Sequence, residues 1–188
     1  MTETFPMKQT EAVHVEFSSP TLRLPDAAGT VENALPIALQ FCAQKMGLDS
    51  HQAVLDRLRQ GDGVACKYCH YSLAKQVAEA LGSLDENVKS VYICDYDATP
   101  EDRCFGQTVQ TSLIHMIVWV KRKTGALNSL VEALDRILVQ SYADLIGSRQ
   151  STNLLDVQMV DDADVKNRLG YGALISSLYN QPIQVWKR

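Results

Sequence analysis

Two cysteines and a histidine form a C-x-x-C-H motif at Cys66, Cys69 and His70. In a helix these positions are i, i+3 and i+4, so the three side chains share one face. Thiolates and imidazole are ligands that zinc binds well, and iron also accepts thiolates. The motif therefore predicts a metal site for zinc or iron, with a fourth ligand that the spacing does not place.

The same motif has three other interpretations. Covalent haem attachment uses C-x-x-C-H outside the cytoplasm, but residues 1–11 have no secretory signal, so haem is not expected. A thiol-redox pair is favoured by the position of Cys66 near the predicted helix start, where the dipole stabilises a thiolate. Core filling is favoured because Cys69 lies four residues before Leu73 on the apolar stripe of this helix.

A basic segment, Lys121, Arg122, Lys123 and Thr124, lies between a predicted strand and a predicted helix. A helix N-terminus offers backbone N–H groups and a positive dipole end, and three cations raise the local potential. The segment predicts a binding site for an anionic small molecule, such as a phosphate or a carboxylate. The alternative is a solvated end of a strand.

His115 is the one polar residue in the apolar run 113–120. Such a residue is expected to be a core histidine that is hydrogen-bonded to the backbone. The functional alternative is a catalytic base that works with Asp95 in a cleft between helices and sheet, since buried imidazoles have shifted pKa values and specific partners.

These residues are positioned by a strand followed by a long helix. The run 113–120 predicts a central strand that is buried on both faces. In the segment 127–145, leucines recur at spacings of three, four and seven, which predicts an amphipathic helix packed on that strand.

Before this unit, residues 31–82 predict three helices. Asp49 or Ser50 is expected to cap the second helix and Asp62 the third, which Gly82 is expected to end. Residues 1–30 predict a loose arm with one edge strand at most.

After the helices, the pattern predicts strands at 88–96, 108–121, 154–160 and 183–186. The first two should be antiparallel, and the second and third should be parallel because a helix connects them. The predicted fold class is α+β, with an N-terminal helical portion of three helices followed by a β-β-α-β-α-β mixed sheet covered by helices.

The predicted domain organisation is an arm at 1–30 and a single α+β domain at 31–188. Within this domain, 31–82 is the helical layer and 88–188 is the mixed-sheet portion. No linker rich in proline, glycine or serine separates the two portions.

Composition excludes several classes of function. A net charge of −4 over 188 residues argues against a nucleic-acid partner, which needs clustered excess cations. No apolar run reaches the roughly 20 residues that span a bilayer, so no membrane partner is expected. Five cysteines without the spacing of a secreted disulfide framework predict reduced thiols and a cytoplasmic protein.

Three functions remain open. The preferred one is a ligand- or metal-binding module at Cys66, Cys69 and His70. The second is an enzyme, either thiol-based or using His115 with Asp95. The third is an assembly protein whose cysteines are core only; a homo-oligomer is expected because the last strand should lie at a sheet edge.

Overall fold

The computed structural model describes residue 29 and residues 31–94, 113–147, 153–178 and 181–188. The elements in chain order are α1 (Ala34–Met46), α2 (His51–Arg59), α3 (Gly63–Leu84), β1 (Val88–Ile93), β2 (Ile114–Val120), α4 (Gly125–Ile146), β3 (Leu155–Val160), α5 (Asp162–Asn167), α6 (Gly172–Ile175) and β4 (Ile183–Lys187). The predicted arm at 1–30 lies outside the described residues apart from residue 29. The predicted ends of the first two strands, at 95–96 and 108–112, also lie outside them.

The helix starts follow the capping residues of the sequence. The Ser50 hydroxyl accepts a hydrogen bond from the Ala53 N–H, and the Asp62 carboxylate accepts from Val64 and Ala65. Both caps satisfy backbone donors that have no partner inside the helix. The predicted cap at Asp62 is thus confirmed.

The predicted end of α3 at Gly82 is wrong, because the helix continues to Leu84. A Cβ atom at position 82 would overlap the indole ring of Trp186 in β4. Glycine is therefore required for close packing between helix and strand, while the helical backbone continues through it.

The sheet has the order β3-β2-β1-β4. Strand β1 is antiparallel to both β2 and β4, and β2 is parallel to β3. The predicted antiparallel and parallel pairings are confirmed, as is the mixed α+β architecture in which N-terminal helices pack on a mixed sheet.

The two faces of the sheet bury different clusters. Met116 and Val118 of β2 belong to the large core shared with helices α1 to α4. Ile117 points to the opposite face, where it packs with Tyr92 and Val160 beneath apolar side chains of α5 and α6. Strand β2 is therefore central and buried on both faces over this stretch, as its apolar run predicts.

Among the described residues no helix is long and apolar enough to cross a membrane.

Candidate functional site

The C-x-x-C-H motif lies in the core of the helical layer. Cys69 is fully buried and Cys66 is nearly so, whereas His70 is half-buried with its ring 6.4 Å from the ring of Tyr142. Cys42 of α1 joins them, and its thiol donates to the Ala65 carbonyl at 3.5 Å. Its position on the buried face of α1 is readable in the sequence, but its pairing with α3 is not.

The environment of these thiols favours their neutral form. Burial raises the pKa of Cys42 from 9.0 to about 11, with smaller contributions from Cys66 and Asp62. Burial also raises the pKa of Cys69 strongly, and the pKa of Tyr142 in α4 rises for the same reason. Reactive cysteines need the opposite environment, one that stabilises the thiolate.

In the described parts of the chain, no three His, Cys, Asp or Glu side chains form a group that could hold a metal ion. The two buried cysteines belong to the apolar core, while His70 lies at its margin. The placement of Cys66 and Cys69 is the one that core filling predicts. Metal binding at the motif stays a prediction.

Two side chains of the predicted anion site already make hydrogen bonds within the chain. Thr124 is the N-cap of α4, where its hydroxyl accepts from the Leu127 N–H. The ammonium of Lys123 lies 2.5 Å from the carboxylate of Asp164, and this hydrogen bond raises the pKa of Lys123 and lowers that of Asp164. One of the three cations therefore already has an anionic partner, contributed by α5.

Next to it, the backbone of Arg122 is fixed by the side chain of Asn87, which lies in the turn between α3 and β1. The Arg122 N–H donates to Asn87 Oδ1 at 2.9 Å, and the Asn87 amide donates back to the Arg122 carbonyl. Lys121 donates its N–H to the Asn87 carbonyl. The side chains of Lys121 and Arg122 are exposed, so they are the cations of this segment that can meet a ligand.

His115 differs from the expected core histidine. Its side chain is 44% exposed, and Nδ1 lies 2.8 Å from Oδ2 of Asp156 instead of binding backbone. The cause is strand register: β3 pairs in parallel with β2 and sets Asp156 beside His115. The predicted partner, Asp95, lies outside the described residues.

Asp156 is held on its other oxygen as well. Gln158, two residues along β3 and on the same face, donates from Nε2 to Oδ1 of Asp156 at 2.8 Å. Asp156 lies within the strand that the sequence predicts at 154–160. The alternation of polar Asp156 and Gln158 with apolar neighbours is the signal for a polar strip on one face of β3.

Cys94 lies beside His115 on the side opposite Asp156, so the three residues form a row across neighbouring strands. Its N–H donates to the His115 carbonyl at 3.0 Å, which continues the pairing of Ile93 with Met116 by one residue. Directly opposed residues of an antiparallel pair project to the same face, so the Cys94 and His115 side chains are neighbours. Cys94 is half-buried and packs on the Tyr92 cluster. The row Cys94–His115–Asp156 is the candidate site, and no sequence motif announces it.

A charged cluster lies at the far end of the same face of the sheet. The ammonium of Lys89 lies 4.5 Å from the centre of the Trp119 ring, and both residues donate to Oδ1 of Asp162, at 2.6 and 2.8 Å. Hydrogen bonds from Lys89 and then Trp119 lower the pKa of Asp162. These contacts fix the start of α5 on the sheet.

Comparisons with protein-family models, with curated proteins and with solved structures found no match. The functional conclusion therefore depends on the geometry of the row.

Proposed function

We propose that this protein is an enzyme acting on a small molecule, with His115 as its general base and acid and Asp156 as the residue that orients it. The observation that carries the proposal is the 2.8 Å contact between Nδ1 of His115 and Oδ2 of Asp156. An ionised carboxylate only accepts hydrogen bonds, so this contact assigns the proton to Nδ1 and leaves Nε2 as the basic nitrogen. A carboxylate-oriented imidazole is a recurring device for proton transfer.

The exposure of the pair supports the same role. His115 is 44% exposed and Asp156 is 30% exposed, so the imidazole can meet a substrate while the carboxylate stays against the sheet. Imidazole changes charge near neutral pH, which suits a group that both takes and returns a proton.

The proposal is tested without knowledge of the substrate by NMR of the histidine ring nitrogens. In the wild type, the tautomer of His115 should carry its proton on Nδ1. In the Asp156→Asn variant, the amide can donate as well as accept, so this preference should weaken. His51, which lies exposed at the start of α2, is the matched control and should not respond. A wild-type His115 protonated on Nε2 alone would contradict the proposal.

The corresponding activity test is a panel of small esters, thioesters, amides and phosphate esters. Any turnover found should fall on the order of a hundredfold or more in His115→Gln. The His51→Gln variant should keep the wild-type rate. An activity that His115→Gln leaves intact would argue against the assigned role.

A metal-binding module at Cys66, Cys69 and His70 is the second candidate, with zinc or iron as the metal. Its support is the i, i+3, i+4 spacing of the three residues on α3. Elemental analysis of protein purified without metal-affinity steps should then find about one equivalent of metal. A chelator should lower the melting temperature of the wild type and leave the Cys69→Ala variant unchanged.

The proposed setting is the cytoplasm, and the proposed assembly is a homo-oligomer. The thiols of Cys42, Cys66, Cys69 and Cys94 are not in disulfides, which suits a reducing compartment. In the described sheet, strand β4 lies at an edge, and edge strands can pair with a second copy. Light scattering at micromolar concentrations that gives a monomer mass would exclude the oligomer.

An anionic small molecule is the proposed ligand of Lys121, Arg122, Lys123 and Thr124. Its support is the pair of exposed cations at the start of α4. Inorganic phosphate should then protect Lys121 from acylating reagents, whereas Lys45 on α1 should be unaffected.

A further inference from the structure

We infer that Cys94 is a nucleophile served by His115, and that the substrate class is activated acyl compounds, namely esters and thioesters. This inference rests on the proposed function of His115 and Asp156, and it adds the group that attacks the substrate. It is carried by strand register, which puts a thiol, an imidazole and a carboxylate side by side on one face of the sheet.

The distance argument comes from the antiparallel pairing of β1 with β2. The hydrogen bond from the Cys94 N–H to the His115 carbonyl makes these residues direct partners. Cβ atoms of such partners lie about 4.5–5.5 Å apart. A thiol and an imidazole attached to them are therefore within reach of each other.

The direction argument comes from the order of the strands. Asp156 on β3 binds His115 from one side, and Cys94, directly after β1, lies on the other side because β2 is between them. Asp156 uses Nδ1 of the ring, so Nε2 is the nitrogen that serves the thiol. A nucleophile, a base and a group that orients the base form the arrangement that activated cysteines need.

The other described cysteines are poor candidates for this role. Cys69 and Cys42 lie in the apolar core, and burial raises the pKa of both thiols. Cys66 is only 5% exposed. Cys94 is half-buried at the margin of the smaller cluster, so a substrate can approach it.

The reaction begins with acylation of Cys94. Nε2 of His115 takes the proton from the thiol, and the thiolate sulfur attacks the carbonyl carbon of the ester to form a C–S bond. The C–O bond to the leaving group breaks, and the departing oxygen takes the proton from the imidazolium, which releases an alcohol. The acyl group is then held as a thioester on Cys94.

Hydrolysis returns the enzyme to its starting state. His115 takes a proton from water while the water oxygen bonds to the acyl carbon, and the C–S bond breaks. The thiolate recovers the proton from the imidazolium. The sum is one ester and one water converted into one carboxylic acid and one alcohol, with no change of oxidation state.

The first experiment measures alkylation of each cysteine by iodoacetamide near neutral pH. Trypsin places the five cysteines on five separate peptides, and Cys94 is alone on residues 90–103. In the folded wild type, Cys94 should be alkylated faster than Cys42, Cys66 and Cys69. Its rate should fall about tenfold in His115→Ala and in His115→Gln, because the imidazole no longer promotes the thiolate.

The second experiment uses p-nitrophenyl acetate as the acyl donor. The wild type should release about one equivalent of p-nitrophenol in a burst and carry an acetyl group on peptide 90–103. Cys94→Ser should abolish both, and Cys66→Ser should abolish neither. The melting temperatures of the cysteine variants and of both His115 variants show whether a lost signal reflects loss of the site or loss of the fold.

The outcomes distinguish this inference from the proposal on which it rests. If Cys94 is alkylated at the same rate with and without His115, and no acetyl group appears on its peptide, the inference is overturned even if the His115 tautomer still depends on Asp156. If the tautomer of His115 does not depend on Asp156, the proposed function itself is contradicted.

Discussion

Asp156 receives hydrogen bonds on both carboxylate oxygens, from His115 on Oδ2 and from Gln158 on Oδ1. With Gln158 in place the carboxylate cannot rotate without losing a bond, so the imidazole it holds is also fixed. Gln158 is thereby a positioning residue for the proposed base.

We expect Gln158→Ala to lower any turnover while it lowers the free energy of unfolding by only about 1 kcal/mol, the contribution of one hydrogen bond. The loss should appear in kcat rather than in KM, because the substituted side chain orients the base. Gln140→Ala is the matched control, since Gln140 makes the same kind of bond to Asp144 on the surface of α4. Equal effects of the two substitutions on kcat would contradict this role.

Burial of the thiols predicts a loss of stability in alkaline solution. The pKa of Cys42 is raised from 9.0 to about 11 in the folded protein, and that of Cys69 is raised further. A group whose folded pKa exceeds its unfolded pKa stabilises the fold fully below the unfolded value and loses this contribution as pH rises. The free energy of unfolding should therefore fall as pH rises from 9.0 toward about 11.

Denaturant titrations across this pH interval test the expectation. The double substitution Cys42→Ala with Cys69→Ala removes two of the groups with a raised pKa and should make the pH dependence shallower. The fall that remains above pH 10 is expected from Tyr142, whose pKa is also raised by burial. A wild-type stability that does not change between pH 9 and pH 11 would show that these thiols ionise alike in both states.

At the scale of elements, α3 and β4 meet at a contact that only glycine permits. Gly82→Ala would improve helix propensity by about 1 kcal/mol, but the new Cβ would overlap the ring of Trp186. We expect a net destabilisation of about 1–3 kcal/mol, typical of overpacking, measured by denaturant unfolding. Gly125→Ala is the control, since nothing lies within 4 Å of its added Cβ. A stabilised Gly82→Ala would contradict the expectation.

Helix α5 is attached to the sheet region by two ion pairs in addition to the apolar contacts of Val165. Lys89 binds Asp162 and Lys123 binds Asp164, and these hydrogen bonds lower the pKa of each carboxyl below its ordinary 3.8. A lowered pKa gives stability that is present above the ordinary value and is lost as pH falls through the folded value. Acid below about pH 4 should therefore weaken the attachment of α5 to the sheet.

The joint substitution of Lys89 and Lys123 by alanine should have the same effect at neutral pH. Amide hydrogen exchange in α5 should become faster, the indole signal of Trp119 should shift, and protection in β2 should stay as in the wild type. Lys166→Ala, on the same helix, is the control. Unchanged exchange in α5 after both lysines are removed would mean that apolar contacts alone hold the helix.

For the whole molecule, periodicity predicted the three N-terminal helices, the four strands and the helix that connects β2 with β3. Between β3 and β4 it predicted one helix, whereas the structure has two short ones, α5 and α6. The apolar run of β2 and the leucine spacing of α4 are local patterns, and the connection through a helix makes β2 and β3 parallel. The error at Gly82 has a different origin. A local rule for helix ends was applied to a residue whose identity is decided by Trp186, a contact between residues distant in sequence.

The candidate site was only partly predictable for the same reason. His115 can be singled out as the polar residue in an apolar run, but its partner depends on strand register, which no local pattern of β3 encodes. A shift of two residues would place Gln158 or Leu154 beside it. Cys94 and Asp156 can be recognised as site residues only when the three strands are aligned.

The parallel pairing of β2 with β3 has a consequence for the order of folding. Cys94 and His115 meet across neighbouring strands, but Asp156 arrives only after the α4 crossover has packed. Non-local parallel pairing is slow, because the chain must lose the entropy of closing a long loop before the stabilising contacts between the strands can form. In a refolding time course, the antiparallel contact between Cys94 and His115 should therefore form before the imidazole of His115 acquires its carboxylate, and any activity should return only with this later step.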